Sequence, residues 1–301
     1  MEKVDACIQQ IRKDNPLLSF PYAEDMDYLT MAVMEEEQLK LVDYEFNCGF
    51  SFFMKYYSGT YWSFEQCAWI DAIRAVAEMY RGSRLYYAIM SSLVFAMSYC
   101  AQSTGHFAQF RPLKENNYKS VLMYRMKSIP VLFKKKMHEL LIVLRNPLRY
   151  SFRSATLDYE DCVASLNPET IVYADPPYSA VHYSRFYHVL ETIVLYDHPQ
   201  LEYKGRYRNN RYQSPFDQKS RVESAFEKLF CAVSRQQCHL LLSYSDNALL
   251  SEEQLDGIAS RCLGAQYNKR RYSKEFKHMK MGRADEYSMN VNELLFSYTK
   301  R

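Results

Sequence analysis

The 301 residues are 48% hydrophobic and 24% charged with a net charge of +3, a balance that argues against a wholly disordered chain and suits one large or two small folded domains. The opening "MEKVDACIQQIRKDNP" lacks the apolar stretch of a secretion signal, and the longest apolar run, Leu85 to Ala101, is interrupted by Ser91, Ser92 and Ser98 and is short for a membrane span, so a cytoplasmic protein is expected. The eight cysteines form no C-x-x-C pair and no His/Cys cluster at metal spacing, which argues against zinc and a disulfide framework and predicts buried, reduced thiols.

Charge is uneven along the chain. Residues 1–43 hold ten acids and four bases, whereas 111–149 hold ten bases and two acids. The acidic opening is expected to be helical, loosely tied to the rest and suited to docking a partner. Residues 44–110 are expected to form a helical part of the main domain, beginning with "SFEQCAWIDAIRAVAEMYRG", where Ser63 and Gln66 have capping-box spacing and Gly82 follows Arg81. In that helix Asp71, Arg74 and Glu78 fall on a polar stripe while Ile70, Ile73 and Ala77 face inward. A more apolar helix follows from about Leu85 to Gln102, ending near Gly105.

The basic region 111–147 is expected to be helical and broken at Pro130, and its charge, with Lys134, Lys135 and Lys136, makes it the candidate nucleic-acid arm. From 148 to 301 the pattern alternates: strand "LRYSFRSA", strand "TIVYA", helices from about Tyr183 to Tyr196 and Lys219 to Arg235, strand "CHLLLSY", a helix capped by Ser251 and Gln254, and two closing strands near "AQYNKRRY" and "VNELLFSY". This is the order of half an α/β sheet ending in a hairpin. Tyrosines interleaved with bases, as in "YKGRYRNNRY", suit phosphate neutralisation and base stacking, although a solvated loop has the same composition.

"TIVYA" places Asp175 at the carboxyl end of a buried-type strand, where open α/β sheets bind ligands. Asp175-Pro176-Pro177-Tyr178 then combines a carboxylate acceptor, a rigid turn with free carbonyls and an aromatic face. These parts suit a planar group with an exocyclic amine: its N–H bonds point at the Asp175 carboxylate and the Pro176 carbonyl, and its ring stacks on Tyr178. An ordinary strand-ending turn uses the same residue types.

The surrounding residues move the balance. "YADPPYS" at 173–179, "HYSRFYHVLETIVLYDHP" at 182–199, "RYR" and "SPF" within 206–216, "LLLSYSDNALLS" at 240–251 and "ELLFSY" at 293–298 together resemble the D12 class of adenine-specific DNA methyltransferases, which includes the Dam-like and type II modification enzymes. "IDAIR" and "STGHFAQF" resemble the helices and the Gly-Phe turn before the recognition region. The resemblance implies methyl transfer from S-adenosylmethionine to N6 of an adenine flipped out of double-stranded DNA, in a restriction-modification setting. It implies that Asp175 and Pro176 orient the amine, Pro177 shapes the turn and Tyr178 stacks on the base. His182 and Tyr183, together with Arg206, Arg208 and Arg211, are expected on the DNA side. Asp158 in "SATLDYEDCV" sits where the family has an acid near the cofactor, with Glu160 and Asp161 as alternatives.

One expected part is missing. The family binds its cofactor with an F-x-G-x-G loop, and no two of the eight glycines here stand in G-x-G spacing. The resemblance therefore implies a partial Rossmann-like class I methyltransferase sheet, strands 3 to 7 of the order 3-2-1-4-5-7-6. It also implies a second subunit, carrying the glycine loop, in a heterodimer active only when complete. A recognition or regulatory subunit with a retired pocket, and a decayed fragment, are the competing readings; the intact tetrapeptide argues against the first and the orderly residues before Asp43 against the second.

Overall fold

The computed structural model describes residues 2–104, 106–145, 150–279 and 288–301, so the expected helix end near Gly105 and the start of "LRYSFRSA" lie outside the described residues. The chain divides into two compact units. One comprises residues 1–150 and 185–211, the other residues 151–184 and 212–301.

The first unit is mostly helical: α1 (Glu2–Asp14), α2 (Tyr28–Leu39), α3 (Phe52–Tyr57), α4 (Phe64–Glu78), α5 (Arg84–Cys100), α6 (Tyr118–Arg125) and α7 (Ile129–Arg145). Its core gathers Phe53, Tyr57, Tyr61, Trp62, Ile70 and Leu93, all fully buried, and aromatic rings meet at tilted and edge-to-face angles throughout it. Helix α4 begins with the expected capping box, the Ser63 hydroxyl accepting from Gln66 N and the Gln66 side chain accepting from Ser63 N. The basic region is broken earlier than expected. Pro130 lies in the first turn of α7, where its missing N–H costs nothing, and the break falls at residues 126–128.

Two expectations are corrected here. The polar stripe of α4 faces inward: Asp71 is fully buried and accepts from Phe53 N, Met54 N and the Tyr196 hydroxyl, while Arg74 is 1% exposed and donates to the Ile193 carbonyl. The acidic opening is also built in rather than loose. Ile11 and Met31 are fully buried, and Glu35 makes a two-pronged ion pair with Arg125 at 2.8 and 2.7 Å.

Residues 185–211 return to this helical unit with α9 (His188–Leu195) and a short hairpin, β2 (Leu201–Glu202) with β3 (Tyr207–Arg208). Arg74 and Asp71 hold the end of α9, so the buried polar residues of α4 anchor the segment that follows the tetrapeptide.

The second unit is α8 (Tyr159–Ala164), β1 (Ile171–Ala174), α10 (Val222–Gln236), β4 (His239–Ser245), α11 (Glu252–Leu263), β5 (Tyr267–Met279) and β6 (Ser288–Lys300). Its sheet has the order β1-β4-β6-β5: β1 runs parallel to β4 with Tyr173 opposite Leu241, and β6 is antiparallel to both β4 and β5. Alternation sends Leu240, Leu242, Tyr244, Phe296 and Tyr298 to one face, where Phe226 and Phe230 of α10 and Leu255 and Ile258 of α11 cover them. Residues 150–155, the described part of "LRYSFRSA", form no strand and are exposed.

Among the described residues strand β1 is therefore an edge. Thr170 O accepts from His239 N at 2.9 Å, and alternation turns the backbone groups of Ile171 and Tyr173 toward the open side. The two residues are 65% and 63% exposed, and neither lysine nor proline guards the strand.

Candidate active site

Asp175 is exposed at the carboxyl end of β1, followed by a buried Pro176 and half-buried Pro177 and Tyr178. The turn is fastened to the end of β4. Tyr178 O accepts from Leu249 N at 3.0 Å, its ring meets the Tyr244 ring edge-on with centroids 6.2 Å apart, and the Tyr244 hydroxyl accepts from Leu250 N at 3.2 Å. Burial raises the Tyr178 phenol above its ordinary range, the nearby Asp175 charge adding to it, so the ring stays neutral and can offer a stacking face.

Beside this turn the second unit has a cavity of about 660 Å³ lined by Asp158, Tyr159, Tyr173, Asp175, Pro176 and Phe216, among others. Asp158 caps α8 by accepting from Glu160 N at 2.9 Å, which fixes its carboxylate at the cavity wall. Of the three acids in "LDYED", Asp158 lines this cavity; Glu160 instead pairs with Lys228 at 2.9 Å, and both Glu160 and Asp161 face a separate surface hollow. The cavity's apolar walls and its two carboxylates, Asp158 and Asp175, suit a nucleoside.

The DNA-side candidates fall in different settings. Tyr183 is exposed, its N–H donating to the buried Asp217 carboxylate at 3.1 Å, and His182 Nδ1 meets Ser184 Oγ at 2.7 Å. Lys134 and Lys135 are exposed on α7, while Lys136 pairs with Glu139 at 3.0 Å and lies over the Phe95 ring. Arg206 is half-buried, and Arg211 lies over the Tyr207 ring with its Nε donating to Arg208 O. Arg208 departs from the expectation. It is 2% exposed and donates to Asp197 at 2.6 Å, so its guanidinium is committed to an internal ion pair rather than offered to a phosphate.

Tyr244, Asp217 and Phe216 contribute to the site without having been singled out. Tyr244 had a readable signal, an inward parity in "HLLLSYS". Asp217 had none, since a carboxylate in the "SPFD" turn is ordinarily solvated and only the contact 34 residues away reveals its use.

All eight cysteines are free thiols; Cys67, Cys100 and Cys238 are buried, but Cys162 is exposed, contrary to the expectation of burial. Among the described residues no group of three or more His, Cys, Asp or Glu side chains could hold a metal ion, and no helix is long and apolar enough to cross a membrane.

Comparison with known proteins gives the same direction. The chain is 40% identical over 91 residues to the modification methylase LlaI of Lactococcus lactis subsp. lactis, covering 30% of this chain and 14% of that protein. It is 40% identical over 89 residues to the type II methyltransferase M.FokI of Planomicrobium okeanokoites, covering 29% and 13%. It is 28% identical over 207 residues to the type II methyltransferase M.NlaIII of Neisseria lactamica, covering 67% and 56%. The chain thus spans a minor part of the first two relatives' length and about half of the third's. No solved structure matches it. The family description "D12 class N6 adenine-specific DNA methyltransferase" matches residues 55–239, more than half of the sequence, and the chain belongs to that family.

Proposed function

We propose that this chain holds the target adenine for N6 methylation of DNA and acts as one half of a split enzyme, a second polypeptide supplying the glycine loop for S-adenosylmethionine. The observation that carries this reading is the shared cavity: Asp158 and Asp175 line one space at the carboxyl end of β1, with Tyr178 fastened beside it.

In this reading the Asp175 carboxylate and the Pro176 carbonyl accept the two N–H bonds of the adenine amine, which turns the nitrogen lone pair outward. The neutral Tyr178 ring stacks on the base, and Tyr244 keeps that ring in place. Asp158 receives hydrogen bonds from the nucleoside end of the cofactor. S-adenosylmethionine, when bound, supplies an electrophilic methyl group. The fit is one-ended, because the cavity offers a nucleoside wall and the 301 residues contain no G-x-G loop for the methionine end.

The open edge of β1 supports a partner. A four-residue apolar strand with exposed Ile171 and Tyr173, and with no neighbour on one side among the described residues, is the form a central strand takes when its neighbour is missing. We place docking at this edge rather than at the acidic opening, whose apolar side is used inside its own unit.

The test is Asp175→Ala in the complex reconstituted with its glycine-loop partner. Methylation of duplex DNA should vanish while DNA binding persists. Retained methylation overturns the assignment of Asp175, and full activity of the purified chain alone overturns the split.

A further inference from the structure

The turn "STGHFAQF" and the residues that follow the tetrapeptide meet in the first unit. Phe107 is 3% exposed and acts as the rivet: its N–H donates to Phe186 O at 3.2 Å, and its carbonyl accepts from the Tyr61 hydroxyl at 2.8 Å and lies 2.9 Å from His188 Nε2. The turn is closed by Thr104 N donating to Gln109 O at 2.9 Å and by a bridge between Ser103 and Phe110. The β2–β3 hairpin joins the same layer, since the Tyr207 hydroxyl donates to Ala108 O and the Tyr61 hydroxyl also reaches Gly205 O at 3.1 Å.

This rigid underside carries an outer surface of a different kind. His106 is exposed and contacts two rings, Tyr187 at 5.7 Å and 37° and Phe186 at 5.9 Å and 68°, so its imidazole and the Tyr187 ring splay rather than stack on one another. Tyr187 is 39% exposed, and the Arg185 guanidinium lies over Phe186. His106, Tyr203 and Arg206 all have left-handed backbones, with φ of 45°, 58° and 54°, three of the seven such non-glycine residues among those described. Backbone of this kind, held by many bonds beneath, gathers where a ligand is clamped. Phe107 serves the fold as the rivet, while His106 and Tyr187 present exposed rings beside it.

We propose that His106 and Tyr187 form a stacking platform for an unpaired base of the DNA, with Arg185 and Arg206 meeting the adjoining phosphates. This inference rests on the reading that the chain acts on a flipped adenine, because flipping leaves a base without its partner. Splayed aromatic faces with the Arg185 guanidinium beside them suit a single displaced base, whereas a paired base exposes only its edge.

The test uses the purified full chain and two duplexes of one sequence, one fully paired and one with 2-aminopurine opposite an abasic site. The wild-type chain should bind the second duplex more tightly and quench its fluorescence. Tyr187→Ala and His106→Ala should each lower affinity for the second duplex about 5- to 150-fold, the range for loss of one base stack, with affinity for the paired duplex unchanged. Tyr187→Phe should retain both preference and quenching. Equal binding of the two duplexes by wild type, or unaltered preference in both alanine variants, overturns the platform. Asp175→Ala keeps the two ideas apart: it should retain the preference while abolishing methylation by the reconstituted complex, so retained methylation overturns the reading of Asp175 and equal binding of the two duplexes by wild type overturns the platform.

Discussion

Tyr178 and Tyr244 meet edge to face, their ring planes 84° apart, and each is tied to the loop after β4, Tyr178 through its carbonyl and Tyr244 through its hydroxyl. The stacking ring of the proposed base site is thus positioned from a different strand. Tyr244→Leu removes both the ring contact and the acceptor for Leu250 N, and should lower kcat of the reconstituted enzyme roughly ten- to a hundredfold, as small misplacements of a reacting group do. Tyr244→Phe keeps the ring and should lose much less. Steady-state kinetics on duplex DNA decide it; a change confined to KM contradicts a positioning role.

The buried pair of Glu35 and Arg125 joins α2 to α6, and its network continues through Tyr22, which donates to Glu35 at 2.6 Å, to Gln38, which accepts from Phe64 N at the start of α4. Glu35→Ala strands a guanidinium that is 1% exposed and should cost about 3–5 kcal/mol of unfolding free energy. The double replacement Glu35→Met with Arg125→Met should recover most of that loss. Urea unfolding of the three proteins measures it, and a single variant as stable as wild type rejects the argument.

Local patterns carried much of the fold into view. Both capping boxes, Ser63 with Gln66 and Ser251 with Gln254, form as spaced, and the apolar alternation of "CHLLLSY" places Leu240, Leu242 and Tyr244 on the covered face. What stayed hidden depends on contacts distant in sequence. Asp71 and Arg74 looked like a solvated stripe because their partners, Tyr196, Ile193 and the start of α3, lie in other segments. Arg208 read as a phosphate contact for the same reason, Asp197 being its partner across a hairpin turn. At the candidate site the tetrapeptide itself was legible, whereas the choice among Asp158, Glu160 and Asp161 needed the cap of α8 to fix which carboxylate faces the cavity.

The lysine run on α7 separates by environment. Lys134 and Lys135 are exposed, but Lys136 is engaged with Glu139 and Phe95. If the run meets the DNA backbone, Lys134→Gln with Lys135→Gln should reduce the slope of log K against log salt by up to about 2, near 0.9 per phosphate contact, and Lys136→Gln should change it less. Binding titrations across a salt series provide the slopes, and an unchanged slope in the double variant makes the run a solvated face.

Two buried groups in the first unit give opposite pH dependences over nearly the same range. Burial raises Asp71 to about 7, despite three hydrogen bonds that favour its charge, and burial lowers His188 to about 4. The folded state therefore holds a proton on Asp71 that the unfolded chain releases near pH 4, so this group's contribution is full below about 4 and is lost as pH rises to 7. His188 does the reverse: the fold keeps it neutral while the unfolded chain takes up a proton near 6.5, and its contribution is lost as pH falls from 6.5 to about 4. In the wild type the two slopes offset. Asp71→Asn should leave a protein that loses a few kcal/mol of stability between pH 6.5 and 4.5, and His188→Gln one that loses stability in the opposite direction, from pH 4.5 to 7. Urea midpoints at those pH values test both signs; parallel profiles for the two variants would show that neither group titrates as its burial requires.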